Sequence, residues 1–407
     1  MKQGKEQRIT GMSLAPIWRY LPDQDRYYTA RPEAKYRFNV IGVGNNGREH
    51  IRVTHMEGRA TVHGIYDPNP RSIMTAKEEH ARFSSDELVV YDSLEAACND
   101  PAVDGLIICT PNYTHIDVVK VAVKSGKHIL LEKPSATTVP DAHTIVEIAE
   151  EYRAVFQIGL QYRYKAIYTE AIHEAFERGS IGEVKSVSIL EHRVPFLDKV
   201  NQWNKFAKFT GDTLVEKCCH YFDLLNLFAG ARPVSVYGSG NMAVNFKEFE
   251  YNGEKSDILD NAMVVVNYAN GVRANFNLCM FAPMFYEELI VTGDEGWMKA
   301  SERKDFLAYG KDGLELEVLR REDKVSRIMT PQYQRAIQQS GHHGATYFEH
   351  VDFINEIDGK ESGAATASDG FWAIVVAAAA QESIKTGQVV QIDDFLRQQG
   401  LSELAST

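Results

Sequence analysis

The chain has 407 residues, a hydrophobic fraction of 44%, a charged fraction of 25% and a formal net charge of −12. This length allows two domains of ordinary size, and both fractions are typical of globular proteins. The acidic excess argues against nucleic acid as a partner, because a phosphate backbone needs a basic binding face. No apolar run reaches the length that spans a bilayer, so we expect no membrane partner.

The cysteines indicate a cellular compartment. The chain has five of them, without a CxxC spacing. An odd number is typical of a reducing compartment, and the spacing argues against a structural zinc site. The first residues, MKQGKEQRITG, lack the apolar core of a secretory signal. The sequence therefore predicts a soluble, cytoplasmic protein without a metal.

Residues 1–36 precede the first predicted strand and lack clear periodicity. Disordered tails are usually poor in aromatic residues, whereas this segment has four, namely Trp18, Tyr20, Tyr27 and Tyr28. Two interpretations stay open: an N-terminal arm that packs on the body or on a neighbouring subunit, and a partly ordered tail.

From about residue 37 to 160, predicted strands alternate with helical stretches such as Tyr113–Ser125 and Val139–Tyr152. This alternation is typical of a parallel sheet with crossover helices, and six such strands make a complete doubly wound sheet. The predicted strands are Phe38–Ile41, Thr61–Tyr66, Leu88–Tyr91, Gly105–Cys109, His128–Leu131 and Val155–Ile158.

The first of these strands leads directly into a GxGxxG motif, Gly42-Val-Gly44-Asn45-Asn46-Gly47. The first glycine permits a tight turn, the second lets backbone approach a pyrophosphate, and the third lets helix and strand pack closely. The phosphates would lie at the N-terminus of the following helix, where free N–H groups carry partial positive charge. We therefore predict an NAD(P)-binding Rossmann domain over residues 37–160.

The second strand ends in Asp67, 20 residues after Gly47. A carboxylate here would accept both ribose hydroxyls of NAD and repel the 2′-phosphate of NADP. NAD is therefore favoured over NADP as the cofactor. The alternative for Asp67 is that Asp-Pro-Asn-Pro is simply a turn.

After residue 160 the pattern changes. The helix Ala166–Arg178 leads to strand-like runs at Val184–Val194, Val234–Ser239, Asp257–Tyr268, Val272–Phe281, Tyr286–Thr292 and Trp297–Ala300. Asn270-Gly271 between two of them favours a primed turn. Two helices, Tyr347–Ile357 and an alanine-rich Ser368–Ile384 that should be buried, close the chain. We predict an α+β domain over residues 161–407 with a large, mostly antiparallel sheet.

Polar residues follow the fourth and fifth predicted strands. Ligands of doubly wound sheets lie beyond the carboxyl ends of the strands, so we expect these residues to contact the cofactor. They are Thr110, Pro111, Asn112, His115, Glu132 and Lys133. The ammonium of Lys133 could also stabilise an alkoxide that develops during hydride loss. The alternative is an ordinary surface lysine in a loop.

A second group of chemically active residues follows Gly211. From about Thr213 the sequence predicts one helix, on which Glu216, His220 and Asp223 share a face. A neutral histidine could take a hydroxyl proton, and a carboxylate could orient it and stabilise the imidazolium. The alternative is a capped, half-buried helix. A zinc site is disfavoured, because the neighbouring Cys219 and His220 point to different faces.

Taken in order, these motifs resemble a known family. The resemblance is to the glucose–fructose oxidoreductase / inositol dehydrogenase (Gfo/Idh/MocA) family, whose members carry similar motifs in the same order. In this chain the motifs are GxGxxG, Thr110-Pro-Asn-x-x-His115, Glu132-Lys133-Pro and Gly211-x-x-Leu-x-Glu-x-x-x-His220-x-x-Asp223. The resemblance covers residues from about 37 to 395. It implies a Rossmann domain followed by an open-faced mixed sheet, and oxidation or reduction of a hydroxyl on a sugar or cyclitol. It also implies that Lys133, His220 and Glu216 form the catalytic set.

The chain departs from the family pattern in three places. Glu216 stands where the acid is usually Asp, and Cys218 stands where many members have Gly. Tyr162-Arg163 stands where relatives often show two adjacent arginines. These departures concern the substrate and leave the reaction type intact.

Candidate substrate contacts lie around the predicted catalytic helix. Arg193, Lys199 and Trp203 combine cations with an aromatic plane, which suits a sugar whose C–H faces stack while its hydroxyls form hydrogen bonds. Tyr162 and Arg163 join them. The alternative for the Trp203 segment is a surface loop. His343, between two glycines, is a further candidate, and its alternative is an ordinary capping loop.

The sequence thus predicts an NAD-dependent oxidoreductase that transfers a hydride between nicotinamide and a secondary alcohol of a small-molecule sugar or polyol. Two alternatives remain. One is an enzyme that retains its cofactor through a redox-neutral sugar modification or glycoside cleavage, and the other is a non-catalytic NAD-binding regulator. A homodimer or homotetramer is expected, because an open sheet with one uncovered face commonly finds a partner subunit.

Overall fold

The computed structural model describes residues 34–196, 198–305 and 313–405, together with a short antiparallel pairing of Arg8–Ile9 with Met12–Ser13. The N-terminal arm predicted over residues 1–36 lies mostly outside the described residues, and its four aromatic residues before position 30 lie entirely outside them.

The chain divides into two compact units, each made of three segments. Unit 1 comprises Met1–Glu132, Ala149–Tyr164 and Tyr333–Ala365. Unit 2 comprises Lys133–Ile148, Lys165–Gln332 and Thr366–Thr407. The domain boundary at residue 160 stays a prediction.

Unit 1 contains a six-stranded sheet in the order β3-β2-β1-β4-β5-β6, and every neighbouring pair is parallel. This confirms the predicted doubly wound sheet. The central strands form near-continuous apolar runs because helices cover both faces of such sheets. The strands are β1 Tyr36–Ile41, β2 Ala60–Tyr66, β3 Val89–Val90, β4 Gly105–Ile108, β5 His128–Glu132 and β6 Phe156–Gly159.

Helices alternate with these strands. They are α1 Asn45–Glu57, α2 Pro70–His80, α3 Leu94–Asn99, α4 His115–Ala122 and α5 Val139–Glu151. The predicted helix Tyr113–Ser125 is α4 with a 3₁₀ turn at each end. The division between the units passes through α5.

Unit 2 contains a nine-stranded sheet in the order β16-β15-β14-β13-β7-β12-β11-β8-β17. Only β7 and β12 pair in parallel within it, so the predicted mostly antiparallel sheet is confirmed. Its strands are β7 Val184–His192, β8 Pro233–Asn241, β11 Asn261–Tyr268, β12 Arg273–Cys279, β13 Met284–Gly293, β14 Gly296–Asp305, β15 Gly313–Arg320, β16 Arg327–Met329 and β17 Val390–Gln391. A separate hairpin pairs β9 Glu250–Tyr251 with β10 Glu254–Lys255.

The remaining helices are α6 Ala166–Ile172, α7 Ala207–Thr210, α8 Asp212–Glu216, α9 Cys219–Ala229, α10 Arg335–Gln338, α11 Ala345–Ile357, α12 Ala367–Thr386 and α13 Ile392–Gln398. Helix α12 is the alanine-rich helix, and its burial is confirmed, since more than half of its residues are buried. A capping box between Thr366 and Asp369 fixes where it begins. Within the described ranges, no helix combines the length and apolar character that a membrane crossing requires.

The turn between β11 and β12 differs from the prediction. Tyr268 N donates to Val272 O and Gly271 N donates to Tyr268 O, both at 3.0 Å, and within the loop Ala269–Gly271 only Gly271 has a positive φ. This is a three-residue loop with a left-handed glycine, so the predicted primed turn is wrong. In the observed register Tyr268 and Val272 are both buried, whereas a two-residue loop would have placed Tyr268 opposite the exposed Arg273.

Candidate active site

The glycine loop of unit 1 joins β1 to α1. Gly42 has a φ of +84°, and an added Cβ would lie 2.7 Å from the backbone nitrogen of Thr110. A Cβ on Gly47 would lie 2.1 Å from the carbonyl oxygen of Gly42. A Cβ on Gly44 would meet no atom within 4 Å. Two of the glycines are therefore required by the fold, while the third keeps open space in front of the N-terminus of α1, where a phosphate would bind.

This difference leads to a prediction for two alanine variants. Gly47→Ala forces a methyl group against backbone, so we expect a loss of about 1–3 kcal/mol in the free energy of unfolding. Gly44→Ala should leave the melting temperature unchanged and weaken NADH binding, because its methyl group occupies the open space. Thermal unfolding and NADH fluorescence titration measure the two effects. Equal effects of both variants on stability would contradict this division of roles.

Asp67 lies at the carboxyl end of β2 and contacts the glycine loop. Its Oδ2 accepts from Val43 N at 2.8 Å, and its Oδ1 accepts from Asn69 N at 2.8 Å. The second contact is the turn that was the alternative interpretation of this residue. The contact with Val43 N holds the carboxylate beside the glycine loop. Because a carboxylate accepts about four hydrogen bonds, Asp67 can keep both backbone contacts and still bind a ribose.

The segment after β4 contains four more predicted cofactor contacts. His115 is fully buried, and its Nε2 lies 3.0 Å from Thr110 O. Asn112, which follows Pro111, is 6% exposed, and its Nδ2 has no hydrogen-bond partner among the described residues. A buried amide without a partner is costly in a folded protein. The donor of Asn112 therefore suits a polar ligand such as a dinucleotide.

Glu132 ends β5 and forms part of a buried polar chain. Its Oε1 lies 2.9 Å from His50 Nε2, and His50 Nδ1 lies 2.8 Å from His350 Nε2. Sequence reasoning missed both histidines. The signal was the placement of His50 on the α1 face that also buries Gly47 and Ile51. Glu349 is buried close to Glu132. Burial, together with the charge of Glu132, raises the pKa of the Glu349 carboxyl well above the ordinary value.

Three predicted substrate residues also belong to unit 1. Tyr162 is buried in the 3₁₀ turn Gln161–Tyr164, and Arg163 is half-buried beside it. His343 is half-buried with a φ of +60°, and its neighbour His342 contacts Glu49 Oε1 through Nδ1 at 2.7 Å. The predicted catalytic residues Lys133, Glu216 and His220 all belong to unit 2. The substrate-binding role of Tyr162, Arg163 and His343 therefore stays a prediction.

In unit 2, the predicted single helix from Thr213 is wrong. Helix α8 ends at Glu216, and α9 begins at Cys219. At the break, Cys218 N donates to Thr213 O, five residues back, at 3.3 Å. Glu216 and His220 therefore lie on different helices. The spacing alone could not predict this, because the break is stabilised by contacts from residues far away in sequence.

Lys133 makes one of these contacts. Its Nζ donates to the carbonyl oxygen of Glu216 at 3.0 Å, and the Lys133–Pro134 peptide bond is cis. In an uninterrupted helix that carbonyl would accept from the amide four residues later. Lys133 belongs to unit 2, although it directly follows the last strand residue of β5 in unit 1. The structure thus brings together two of the three predicted catalytic residues.

The Glu216 carboxyl is buried, with 5% of the residue exposed. Burial has the largest influence on it and by itself would raise its pKa. Several nearby cations outweigh burial and lower the pKa below the ordinary value. They are Lys133, Lys199, Lys217 and Arg193. Glu216 is therefore an anion at neutral pH.

His220 lies in the first turn of α9 and is 2% exposed, and Asp223 on the same helix is 1% exposed. The thiols beside His220 are neutral, because burial raises the pKa of Cys219 to about 12 and that of Cys218 well above the ordinary value.

The predicted substrate residues of unit 2 surround the break. Lys199 Nζ lies 3.8 Å from Glu216 Oε1 and 4.8 Å from the centre of the Trp203 ring. Arg193 Nη1 lies 3.5 Å from Glu191 Oε1, and its guanidinium lies 5.4 Å from the Phe196 ring. The structure therefore brings Arg193, Lys199 and Trp203 to the same region as Glu216.

Two further residues of this region were missed by sequence reasoning. Lys217, within the break, places its Nζ 3.2 Å from Glu191 Oε1, and both side chains are buried. Glu191 has a detectable signal, because it continues the buried positions Val187 and Ile189 of β7 at the period of a strand. A carboxylate at an inward-facing strand position indicates a buried cation nearby.

Family models match most of the chain. Residues 36–160 match the oxidoreductase family model described as an NAD-binding Rossmann fold, and residues 173–392 match that family's C-terminal alpha/beta domain. The chain belongs to the Gfo/Idh/MocA oxidoreductase family. The resemblance inferred from the ordered motifs is confirmed, and an NAD-binding Rossmann domain is part of this assignment.

Several characterised members of the Gfo/Idh/MocA family are similar to the chain. Inositol 2-dehydrogenase of Rhizobium meliloti (strain 1021) is 26% identical over 66% of this chain and 76% of its own length. Myo-inositol 2-dehydrogenase of Thermotoga maritima is 23% identical over 88% of this chain and 99% of its own. The structure of levoglucosan dehydrogenase with NADH and levoglucosan has a TM-score of 0.72, with 18% identity over 88% and 99% of the two chains, and so shares the fold.

A metal centre was not expected. Among the described residues, no group of three or more His, Cys, Asp or Glu side chains is arranged to hold a metal ion.

Proposed function

We propose that the chain is an NAD-dependent dehydrogenase that oxidises or reduces a secondary alcohol of a sugar or cyclitol. The observation that carries the proposal is the contact of Lys133 Nζ with the Glu216 carbonyl, which groups a cation and a carboxylate at the break that precedes the helix of His220. Family membership and the names of the inositol dehydrogenases among the relatives support the substrate class.

Each side chain has a role in this proposal. NAD held at the glycine loop would accept a hydride from the carbinol carbon. His220 takes the hydroxyl proton as general base. The ammonium of Lys133 donates a hydrogen bond to the same oxygen and stabilises the negative charge that develops there. Glu216, which is ionised, stabilises the imidazolium of His220.

The residues that would hold NAD are proposed from unit 1. They are Gly42, Gly44, Asn45, Asn46, Gly47, Asp67, Thr110, Pro111, Asn112, His115 and Glu132, and Lys133 of unit 2 is proposed as a further cofactor contact. The open space at Gly44 and the buried amide of Asn112 support this set. Tyr162, Arg163 and His343 are kept as proposed substrate contacts, together with Arg193, Lys199 and Trp203.

The preference for NAD over NADP is assigned to Asp67. Asp67→Asn removes the negative charge and keeps one oxygen for the backbone donors, so we expect the ratio of kcat/KM with NAD to that with NADP to fall at least about tenfold, the size of one lost charge-assisted hydrogen bond. Initial rates with both coenzymes measure the ratio. Asp117→Asn, an exposed carboxylate on α4, is the control. An unchanged ratio in the Asp67 variant would remove this residue from coenzyme selection.

A substrate screen tests the proposed function. Purified protein is incubated with NAD or NADP and with free sugars, glycosides, sugar acids and inositols, while absorbance of the reduced coenzyme is followed. The proposal expects reduction with at least one of these compounds. Conversion without net coenzyme reduction, with cofactor retained through gel filtration, would favour the redox-neutral enzyme instead. No conversion and no sugar binding would favour a regulator.

We also propose a cytoplasmic location and a homodimer or homotetramer. All five cysteines are free thiols, which suits a reducing compartment. Apolar side chains are exposed side by side on β8 and β11, where Tyr237 pairs with Val265, and they are 43% and 44% exposed. A second subunit would cover them. Light scattering after gel filtration measures the assembly, and a monomer would contradict it.

A further inference from the structure

Unit 2 contains a group of charged side chains around the helix break in which cations outnumber carboxylates. We call it the cationic cluster. It consists of Lys133, Arg193, Lys199, Lys217, Glu191 and Glu216. Four cations against two carboxylates leave two positive charges. The whole chain carries a net charge of −12, so the cluster is a local exception.

Two cations of the cluster are also more accessible than its carboxylates. The side chains of Lys199 and Arg193 are 30% and 20% exposed, while those of Glu216 and Glu191 are 7% and 0% exposed. A ligand that approaches from solvent therefore meets ammonium and guanidinium groups first, and the carboxylates lie behind them.

Neighbouring charges reduce the surplus without reversing it. Lys205 Nζ lies 3.7 Å from Asp198, which balances that lysine. Buried Lys165 contacts Glu287 and lies 2.7 Å from Glu302, which leaves one carboxylate in excess. When this buried set and the buried Asp223 of α9 are included, the formal charges balance. Because the set is nearly inaccessible, the groups that face solvent stay cationic.

The accessible cations are combined with an aromatic surface. Lys199 Nζ lies 4.8 Å from the centre of the Trp203 ring, and Arg193 lies 5.4 Å from the centre of the Phe196 ring. Rings of this kind stack on the C–H faces of a sugar, and cations beside them recognise an anionic substituent through charge-assisted hydrogen bonds. A neutral polyol would leave the cations without a counter-charge from the ligand.

We propose that the substrate is a sugar that carries a negatively charged group, a carboxylate or a phosphate, and that Lys199 and Arg193 bind this group. The inference rests on the dehydrogenase function proposed above and narrows its substrate class. The two cations act as binding residues, whereas Lys133 and His220 act on the reacting hydroxyl.

Matched pairs of compounds test the proposal. The purified protein with NAD is assayed with D-glucuronate against D-glucose, D-galacturonate against D-galactose, and glucose 6-phosphate against glucose. We expect the anionic member of at least one pair to have a kcat/KM at least tenfold above its neutral partner. The uronate and phosphate arms distinguish the two sources of charge. We also expect this preference to weaken as the NaCl concentration rises.

A lysine pair provides the matched variants. Lys199→Met should reduce the preference for the anionic sugar about tenfold, mainly through KM, the size of one lost hydrogen bond to a charged group. Lys208→Met is the control, because Lys208 Nζ also lies over an aromatic ring, at 4.9 Å from Phe209, and beside a carboxylate, that of Glu254. Lys208→Met should leave the preference unchanged.

The possible failures are distinguishable. Turnover of neutral sugars or inositols with no preference for any anionic partner overturns this inference and leaves the dehydrogenase function standing. A preference that survives Lys199→Met and Arg193→Met overturns the assignment of these two residues. Absence of both turnover and thermal stabilisation with every compound, in the presence of NAD, overturns the proposed function and this inference together.

Discussion

Replacing His220 by alanine is expected to lower kcat by about 10²- to 10⁴-fold, the usual contribution of a positioned general base. The affinity for NADH should change little, because the proposed cofactor residues of unit 1 are untouched. His220 is 2% exposed, so the substitution also removes a packed side chain, and thermal unfolding must be measured beside the kinetics. Stopped-flow rates and NADH fluorescence titration give the two functional quantities.

His173→Ala is the control for this variant. His173 belongs to the same unit, its side chain is 38% exposed, and it has no proposed role in catalysis. We expect its kcat to equal that of the unaltered protein. If His220→Ala retained full turnover while remaining folded, the proton acceptor would have to be another group, and the proposed mechanism would lose its base.

Lys133→Met is expected to have the second-largest effect, a decrease of about 10²- to 10³-fold in kcat, which is typical of losing one donor to a developing oxyanion. Methionine keeps most of the length and apolar character of the side chain. It removes the hydrogen bond to the Glu216 carbonyl, so a moderate loss of thermal stability should accompany the loss of turnover.

Lys127→Met separates the two effects. Lys127 Nζ also donates to a backbone carbonyl, that of Val103, so its loss is structurally comparable. This variant should lose stability to a similar extent and keep its kcat. A decrease in kcat for Lys133→Met that only follows its loss of stability, as in Lys127→Met, would make Lys133 a structural lysine.

Sequence reasoning predicted the elements whose causes are local. The predicted ends of the six strands of unit 1 all lie within two residues of the observed ends. Each of these strands is a short apolar run bounded by turn residues. The glycine motif was also sufficient to predict the turn between β1 and α1, because the close approach of Gly47 to Gly42 is set within that turn. In unit 2, sequence reasoning overlooked β15, although its alternating apolar and charged residues are typical of a half-buried strand. It also missed β9, β10, β16 and β17, which have only two or three residues each.

The sequence by itself determined the family, the doubly wound sheet and the identity of the candidate catalytic residues, because these follow from local patterns and from the order of motifs. Only the tertiary structure decided that the helix breaks between Glu216 and Cys219 and that Lys133 reaches the carbonyl freed there. It also decided that Lys217 and Arg193 share Glu191. Such contacts join residues far apart in the chain, and their energies depend on burial and on neighbouring charges, which no local pattern specifies.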